Sequence, residues 1–189
     1  MSVINLPWKV YPGWMKPEDS EIWKEQIFQR LEWEQPKVKV YGKNFLVPRK
    51  TVFLGEKDIN YSYSGLIHTS KGWPEWFYPL VAKVNSASKC NFNGCLVNLY
   101  RNGNDKMGWH SDNEIEINSD KPITSLSFGS TRDFHLKHRF SNKRESISLK
   151  NGDLLIMNPS CQKEWLHSIP VRRKVVNYRI NLTFRSYIN

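Results

Sequence analysis

Eight consecutive residues near the end of the chain, Tyr178 to Arg185, alternate strictly between two kinds of side chain. Tyr178, Ile180, Leu182 and Phe184 are apolar, whereas Arg179, Asn181, Thr183 and Arg185 are polar or charged. A period of two marks a β-strand, in which successive side chains leave opposite faces of the sheet. The apolar set covers a core, so the polar set either faces water or lines a pocket. Two of the four polar groups are arginines. A planar guanidinium meets a carboxylate through two parallel hydrogen bonds, which an ammonium cannot reproduce. This favours a pocket that holds a dicarboxylate. Cys95 to Tyr100 repeats the pattern, with Asn98 and Tyr100 on one face and Val97 and Leu99 on the other.

These two segments belong to a longer series. Strands are expected at Cys95–Tyr100, Ile123–Phe128, Arg132–His138, Ser146–Leu149, Asp153–Met157 and Val175–Arg185, separated by Gly, Asn, Asp and Lys turns. Asn151-Gly152 predicts a hairpin turn. Upstream, helical spacing predicts a helix over Glu21–Leu31, capped by Asp19 or Ser20, and another over Glu75–Val84 after Trp73-Pro74. Between them lie a hairpin, Val38–Phe45, with its tip at Tyr41-Gly42-Lys43-Asn44, and an aromatic strand, Asn60–Gly65. Residues 1–18 are expected to wrap the surface. The fold class is therefore α+β, mainly β: a jelly-roll core with helices on one side. No repeat or linker interrupts the 189 residues, a length that suits one domain. Residues 1–94 hold the helices and hairpins, and 95–189 the jelly-roll core.

A formal charge of +10 points to a polyanionic partner, most simply nucleic acid. Three cysteines, Cys90, Cys95 and Cys161, form neither a disulfide framework nor a zinc pattern, which fits a reducing, intracellular location. No stretch has the length and apolarity of a membrane span, and the first sixteen residues lack the apolar run of a signal peptide. A monomer is expected.

Within Gly108-Trp109-His110-Ser111-Asp112-Asn113-Glu114, His110 and Asp112 are two apart and share a face if the backbone is extended. A downstream histidine, His167, would complete two imidazoles and one carboxylate. That set occupies one face of an octahedral iron and leaves the opposite positions open. A lone His-x-Asp recurs by chance; beside two strands with inward polar faces it carries more weight.

Together, Asn98-Leu99-Tyr100, His110 to Glu114, His167-Ser168-Ile169-Pro170 and Arg179 to Arg185 resemble the AlkB family of iron(II)/2-oxoglutarate dioxygenases. The similarity extends through Val47-Pro48-Arg49-Lys50, Tyr61-Ser62-Tyr63-Ser64-Gly65, Ser125 to Gly129 and Arg132-Asp133-Phe134, and so covers Val38 to Tyr187. It is nearest to the branch that repairs alkylated duplex DNA. The resemblance implies a double-stranded β-helix core with an N-terminal nucleotide-recognition hairpin region. It implies His110, Asp112 and His167 as ligands of Fe(II), with 2-oxoglutarate and O2 as co-substrates. Arg179, helped by Asn98 and Tyr100, would pair with the distal carboxylate of 2-oxoglutarate, with Asn181, Thr183 and Arg185 around the rest of it.

The implied reaction is oxidative demethylation of bases such as 1-methyladenine and 3-methylcytosine, releasing succinate, CO2 and formaldehyde. Such a base must be flipped out of its stack to be reached. Tyr61, Tyr63, Ser64 and Glu114 would surround it. Tyr41-Gly42 would wedge into the space left behind. Arg49, Lys50, Lys137, Arg139, Arg172 and Arg173 would contact DNA, mostly at phosphates. RNA as substrate, hydroxylation of a protein or small molecule, and a catalytically silent nucleic-acid-binding module are the alternatives. Trp109 has no assignable role from sequence.

Overall fold

The structure is a computed structural model that describes residues 6–40, 42–63 and 66–188. The chain runs β1 (Trp8–Tyr11), α1 (Pro17–Arg30), β2 (Lys37–Val40), β3 (Lys43–Leu46), β4 (Lys50–Gly55), β5 (Asn60–Tyr63) and β6 (Leu66–Thr69). A 3₁₀ turn (Glu75–Phe77) leads into α2 (Tyr78–Ser88), followed by β7 (Gly94–Tyr100), β8 (Met107–His110), β9 (Ile123–Gly129), β10 (Arg132–His138) and β11 (Arg144–Leu149). The chain ends with β12 (Leu154–Met157), α3 (Pro159–Glu164), β13 (Trp165–Ile169) and β14 (Arg179–Arg185).

Two antiparallel sheets form the jelly roll. The larger has the order β1-β12-β9-β14-β7-β4 and the smaller β11-β10-β13-β8. β14 lies between β9 and β7, so no edge of it meets solvent, and all seven of its residues are buried. Its apolar face, Ile180, Leu182 and Phe184, packs with Ile27 of α1 and with Phe77, Leu80 and Val84 of the second helical segment. Burial of side chains of this size contributes about 1.5–3 kcal/mol each. A second apolar cluster, including Leu96, Ile123, Phe134, Leu136 and Leu155, fills the space between the sheets. The polar face of β14 therefore looks into the interior of the sandwich, which rules out a solvated outer strand.

The remaining elements refine the expected pattern. The β2–β3 hairpin pairs Lys37–Val40 with Lys43–Leu46, and Gly42 at its tip has φ +79°. Asn151-Gly152 is not a hairpin turn: β11 and β12 lie in different sheets, so this turn carries the chain from one layer to the other. Gly152 there has φ +80°, and a Cβ would lie 2.4 Å from the Met15 carbonyl. Trp8–Tyr11 does not merely wrap the surface; it pairs with β12 and buries Trp8. β4 likewise joins the larger sheet through β7, so that sheet draws on the N-terminal half of the chain as well. α1 starts earlier than expected, because Pro17 at its first turn has φ preset for a helix and Glu18 and Asp19 suit its positive end. Ser20 instead donates to the Met15 carbonyl. Pro79 lacks an N–H, so the expected second helix divides into a 3₁₀ turn and α2.

Candidate metal centre

β8 and β13 are neighbours in the smaller sheet, and His110 stands opposite His167 in register. Their ring centroids are 4.3 Å apart, and Phe134 stacks on His167 at 5.0 Å. β8 ends at His110, and two residues later Asp112 turns its carboxylate toward the same point. One potential ligand atom from each of His110, Asp112 and His167 lies within 4.8 Å of the others. His110 Nδ1 is 2.9 Å from the Gly108 carbonyl, which can only accept. The proton therefore sits on Nδ1, and the lone pair on Nε2, 3.6 Å from Asp112 Oδ1.

The protonation states suit a cation. Burial and the neighbouring His110 push His167 down to about 3, although Asp112 acts in the opposite sense. Burial also lowers His110. Burial alone would raise Asp112, but the Arg185 guanidinium, with the two histidines, holds it at about 2. Two neutral imidazoles and an ionised carboxylate are the donor set of a first-row divalent metal with open positions.

The polar face of β14 supplies the other wall of the same cavity. Asn181 faces Asn98 on one neighbouring strand and Ser127 on the other, and Arg179 faces Tyr100. Asn181 Nδ2 donates to Ser125 Oγ at 2.7 Å, and Thr183 donates to Asn181 Oδ1 at 3.2 Å. Arg179 is 1% exposed; its Nη2 donates to Ser127 Oγ at 2.9 Å, and its guanidinium lies 5.4 Å over the Tyr100 ring. Its Nε and Nη1 have no acceptor among the described residues. Burial, together with Arg132, brings Arg179 down to about 10, so it stays charged at neutral pH. A buried guanidinium with spare donors is costly unless an anion completes it. The residues thus fit both an iron(II) ion and a dicarboxylate in one cavity. Arg185 goes further than expected: its Nη2 forms a buried ion pair with Asp112 Oδ2 at 3.0 Å.

Tyr61 is buried, and its hydroxyl donates to Glu114 Oε1 at 3.2 Å. Burial and the nearby Asp112 raise the Glu114 carboxyl, with Arg185 opposing. Tyr41 and Ser64, and the side chain of Tyr63, lie outside the described residues.

The candidate DNA contacts divide. Arg49 is corrected: it is buried, and its Nε donates to Asn98 Oδ1 at 2.7 Å, so it is not a surface phosphate contact. Lys50 opens β4 and is half-buried. Gly42, Arg139 and Arg173 are exposed. Lys137 lies 4.6 Å over the half-exposed Trp109 ring, on the side of the smaller sheet away from the metal cluster. Arg172 pairs with Asp133. Ser125 and Ser127, not among the site residues expected from sequence, anchor Asn181 and Arg179. Their signal was available, since Ser125 and Ser127 alternate with Leu126 and Phe128 in the same period of two.

The sequence matches the model of the 2OG-Fe(II) oxygenase superfamily over residues 8–185. It is 37% identical over 179 residues to the DNA oxidative demethylase ALKBH2 of Mus musculus, covering 87% of this chain and 75% of that protein. It is 33% identical over 190 residues to the alpha-ketoglutarate-dependent dioxygenase alkB homolog 3 of Homo sapiens, covering 94% of this chain and 65% of that protein. The chain belongs to the AlkB-type 2OG-Fe(II) oxygenases. It spans 60–75% of the length of curated relatives of this kind. The solved structure of OsALKBH1 superposes with a TM-score of 0.67 at 18% identity, over 97% of this chain and 99% of that one, which supports the shared fold. An AlkB-type oxygenase uses Fe(II), 2-oxoglutarate and O2, and the cavity described above has the donor set for the first two. No helix among the described residues is long and apolar enough to cross a membrane.

Proposed function

We propose that this protein demethylates N-alkylated bases in DNA, of the 1-methyladenine and 3-methylcytosine type, by 2-oxoglutarate-dependent oxidation. The reading rests above all on one observation. The His110–Asp112–His167 cluster and the half-satisfied Arg179 line a single cavity. The relatives named DNA oxidative demethylase and the +10 charge favour a nucleic-acid substrate.

His110, Asp112 and His167 would hold the iron, and Arg179 the distal carboxylate of 2-oxoglutarate, beside Asn98, Tyr100, Asn181 and Thr183. When bound, iron(II) with 2-oxoglutarate and O2 supplies the oxidation that hydroxylates the N-methyl carbon. The hydroxymethyl group then leaves as formaldehyde, and 2-oxoglutarate leaves as succinate and CO2. Arg185 keeps Asp112 ionised and oriented. Phe134 excludes water from one face of His167. The Tyr61–Glu114 pair offers an anionic edge to a cationic methylated base, and Tyr63 and Ser64 are the further candidate contacts to that base. Tyr41-Gly42 serves as the wedge, and Lys50, Lys137, Arg139, Arg172 and Arg173 are the candidate phosphate contacts. The protein acts as a monomer in a reducing intracellular compartment, consistent with its three unpaired buried cysteines.

The test is release of succinate and formaldehyde with Fe(II), 2-oxoglutarate and ascorbate on methylated single-stranded DNA, duplex DNA, RNA and free nucleosides. Demethylation of DNA above the nucleosides supports the reading. Turnover on RNA alone, or on none of these, refutes it.

A further inference from the structure

The two histidines of the cluster stand on paired strands, but Asp112 does not. β8 ends at His110, and β8 and β13 are matched only at His110–His167 and Met107–Ile169, with an irregularity between them. No ladder fixes the backbone of the residue whose carboxylate must meet both imidazoles. Among the described residues, the Asp112 N–H donates at 3.0 Å to Oε1 of Gln162, a residue fifty positions away on α3. Gln162 is itself buried, and its Nε2 points at Met157 Sδ, 3.6 Å away. A thioether accepts but cannot donate, so the amide can be oriented only one way, with its oxygen toward Asp112. α3 runs directly into β13, the strand that carries His167.

We propose that Gln162 is a positioning residue of the metal centre, acting on the Asp112 backbone. It ties the unladdered Asp112 turn to the segment that places His167, so that the separation of the two donors is set before a cation arrives. Arg139 braces the same turn from the other side: its Nη2 donates to Ser111 Oγ at 2.6 Å, and its own N–H donates to the Glu164 carbonyl at the end of α3. Both braces are therefore tied to the stretch that immediately precedes His167, Gln162 directly and Arg139, just after β10, through the Glu164 carbonyl. Neither side chain is a candidate metal ligand, so their effect on the cluster is through its geometry.

The proposal rests on Asp112 being a ligand, and the experiment separates the two. Co(II) is titrated into the metal-free protein by calorimetry, for the native sequence and for Asp112→Ala, Gln162→Leu, Gln162→Asn and Gln162→Glu. Gln162→Leu removes the acceptor at nearly constant volume, and Gln162→Asn is one methylene too short to reach. Each should weaken Co(II) binding by about 10-fold or more, the range of partners that orient a ligand, and should alter the visible Co(II) spectrum. Gln162→Glu keeps an oxygen at the same reach and restores most of the affinity. A purely structural role would lower the melting temperature and leave affinity and spectrum unchanged, which would overturn the proposal. Co(II) affinity undiminished in Asp112→Ala would remove the ligand assignment and the proposal with it. Should the Leu and Asn variants fail to fold, hydrogen exchange on the native metal-free protein still decides. The Asp112 amide should be protected although it lies outside any strand, and rapid exchange there would refute the brace.

Discussion

Replacing Arg185 by methionine isolates the buried charge pair that holds the candidate site together. Arg185 Nη2 and Nε lie 3.0 and 3.3 Å from Asp112 Oδ2, and the two side chains are only 4% and 3% exposed. Methionine roughly matches the aliphatic stem but leaves the Asp112 carboxylate buried without its counter-ion. Breaking a buried pair from one side costs about 3–5 kcal/mol. For a chain of this length, 1 kcal/mol moves the melting temperature by about 2–4 °C, so the metal-free variant should melt about 6–20 °C lower. Two further measurements bind the number to its cause. Removing both charges with Arg185→Met and Asp112→Leu should recover much of the loss, because the doubly apolar site carries no stranded charge. Co(II) should stabilise the Arg185→Met variant by more degrees than it does the native protein, since a bound cation replaces the missing one. Calorimetric melts of the four proteins in the double-mutant cycle, with the native protein and Arg185→Met also run with Co(II), give the coupling directly. A loss below about 1 kcal/mol in the single variant, or a double variant no better than Arg185→Met, would mean that the pair is not what keeps Asp112 ionised.

Arg179→Met should raise the 2-oxoglutarate concentration for half-maximal succinate release about 10–100-fold, the worth of hydrogen bonds to a charged group. The metal-free protein should keep or gain stability, because a buried cation with two unsatisfied nitrogens is removed; an unchanged co-substrate requirement would contradict its role. For His167, the folded value near 3 lies below the usual 6.5, so the unfolded chain binds the extra proton between those pH values. Stability of the metal-free protein therefore rises with pH across that window and is lost as pH falls through it; His167→Gln should shift acid unfolding to lower pH in a circular-dichroism titration. Gly103→Ala places a Cβ 1.7 Å from the Arg172 carbonyl oxygen, where two backbones cross through the Gly103–Val175 and Arg172–Gly103 hydrogen bonds. It should cost about 3 kcal/mol or more in urea unfolding, whereas Gly108→Ala, with open space around it, should stay within about 0.5 kcal/mol.

The parts of this molecule that were legible in its sequence are those whose signal is local. The alternation from Tyr178 to Arg185 sorts inward polar groups from core groups residue by residue, and β14 carries that sorting into the cavity unchanged. The hairpin at 38–45 is legible for the same reason. What escaped depends on partners far along the chain. β1 and β4 are short segments whose strand character comes from pairing with β12 and β7. Asn151-Gly152 has the chemistry of a tight turn, but whether such a turn joins neighbours or switches sheets is decided by layers that the dipeptide does not encode. Arg49 reads as a surface cation beside Lys50; its burial follows from Asn98, forty-nine positions on. Gln162 is illegible for the same reason, because its one consequential bond reaches the Asp112 backbone.

One physical effect, burial, acts on every ionisable group in the cavity, and its consequences differ by residue type. Desolvation disfavours charge, so it drives both histidines toward the neutral form that a metal requires, with no dedicated partner. The same effect on Arg179 is tolerated, because a guanidinium starts so high that a value near 10 leaves it charged under ordinary conditions. Only the carboxylate is put at risk, since burial would raise it toward protonation and leave a poor ligand. That asymmetry accounts for the placement of a second arginine on β14 beside Asp112 of the candidate cluster. The alternation that turns Arg179 into the cavity puts Arg185, six residues on, on the same face beside Asp112. A single strand therefore supplies the cation at each end of the cavity. The two arginines are not interchangeable: one is held with donors free for an anion, and the other is already committed to Asp112.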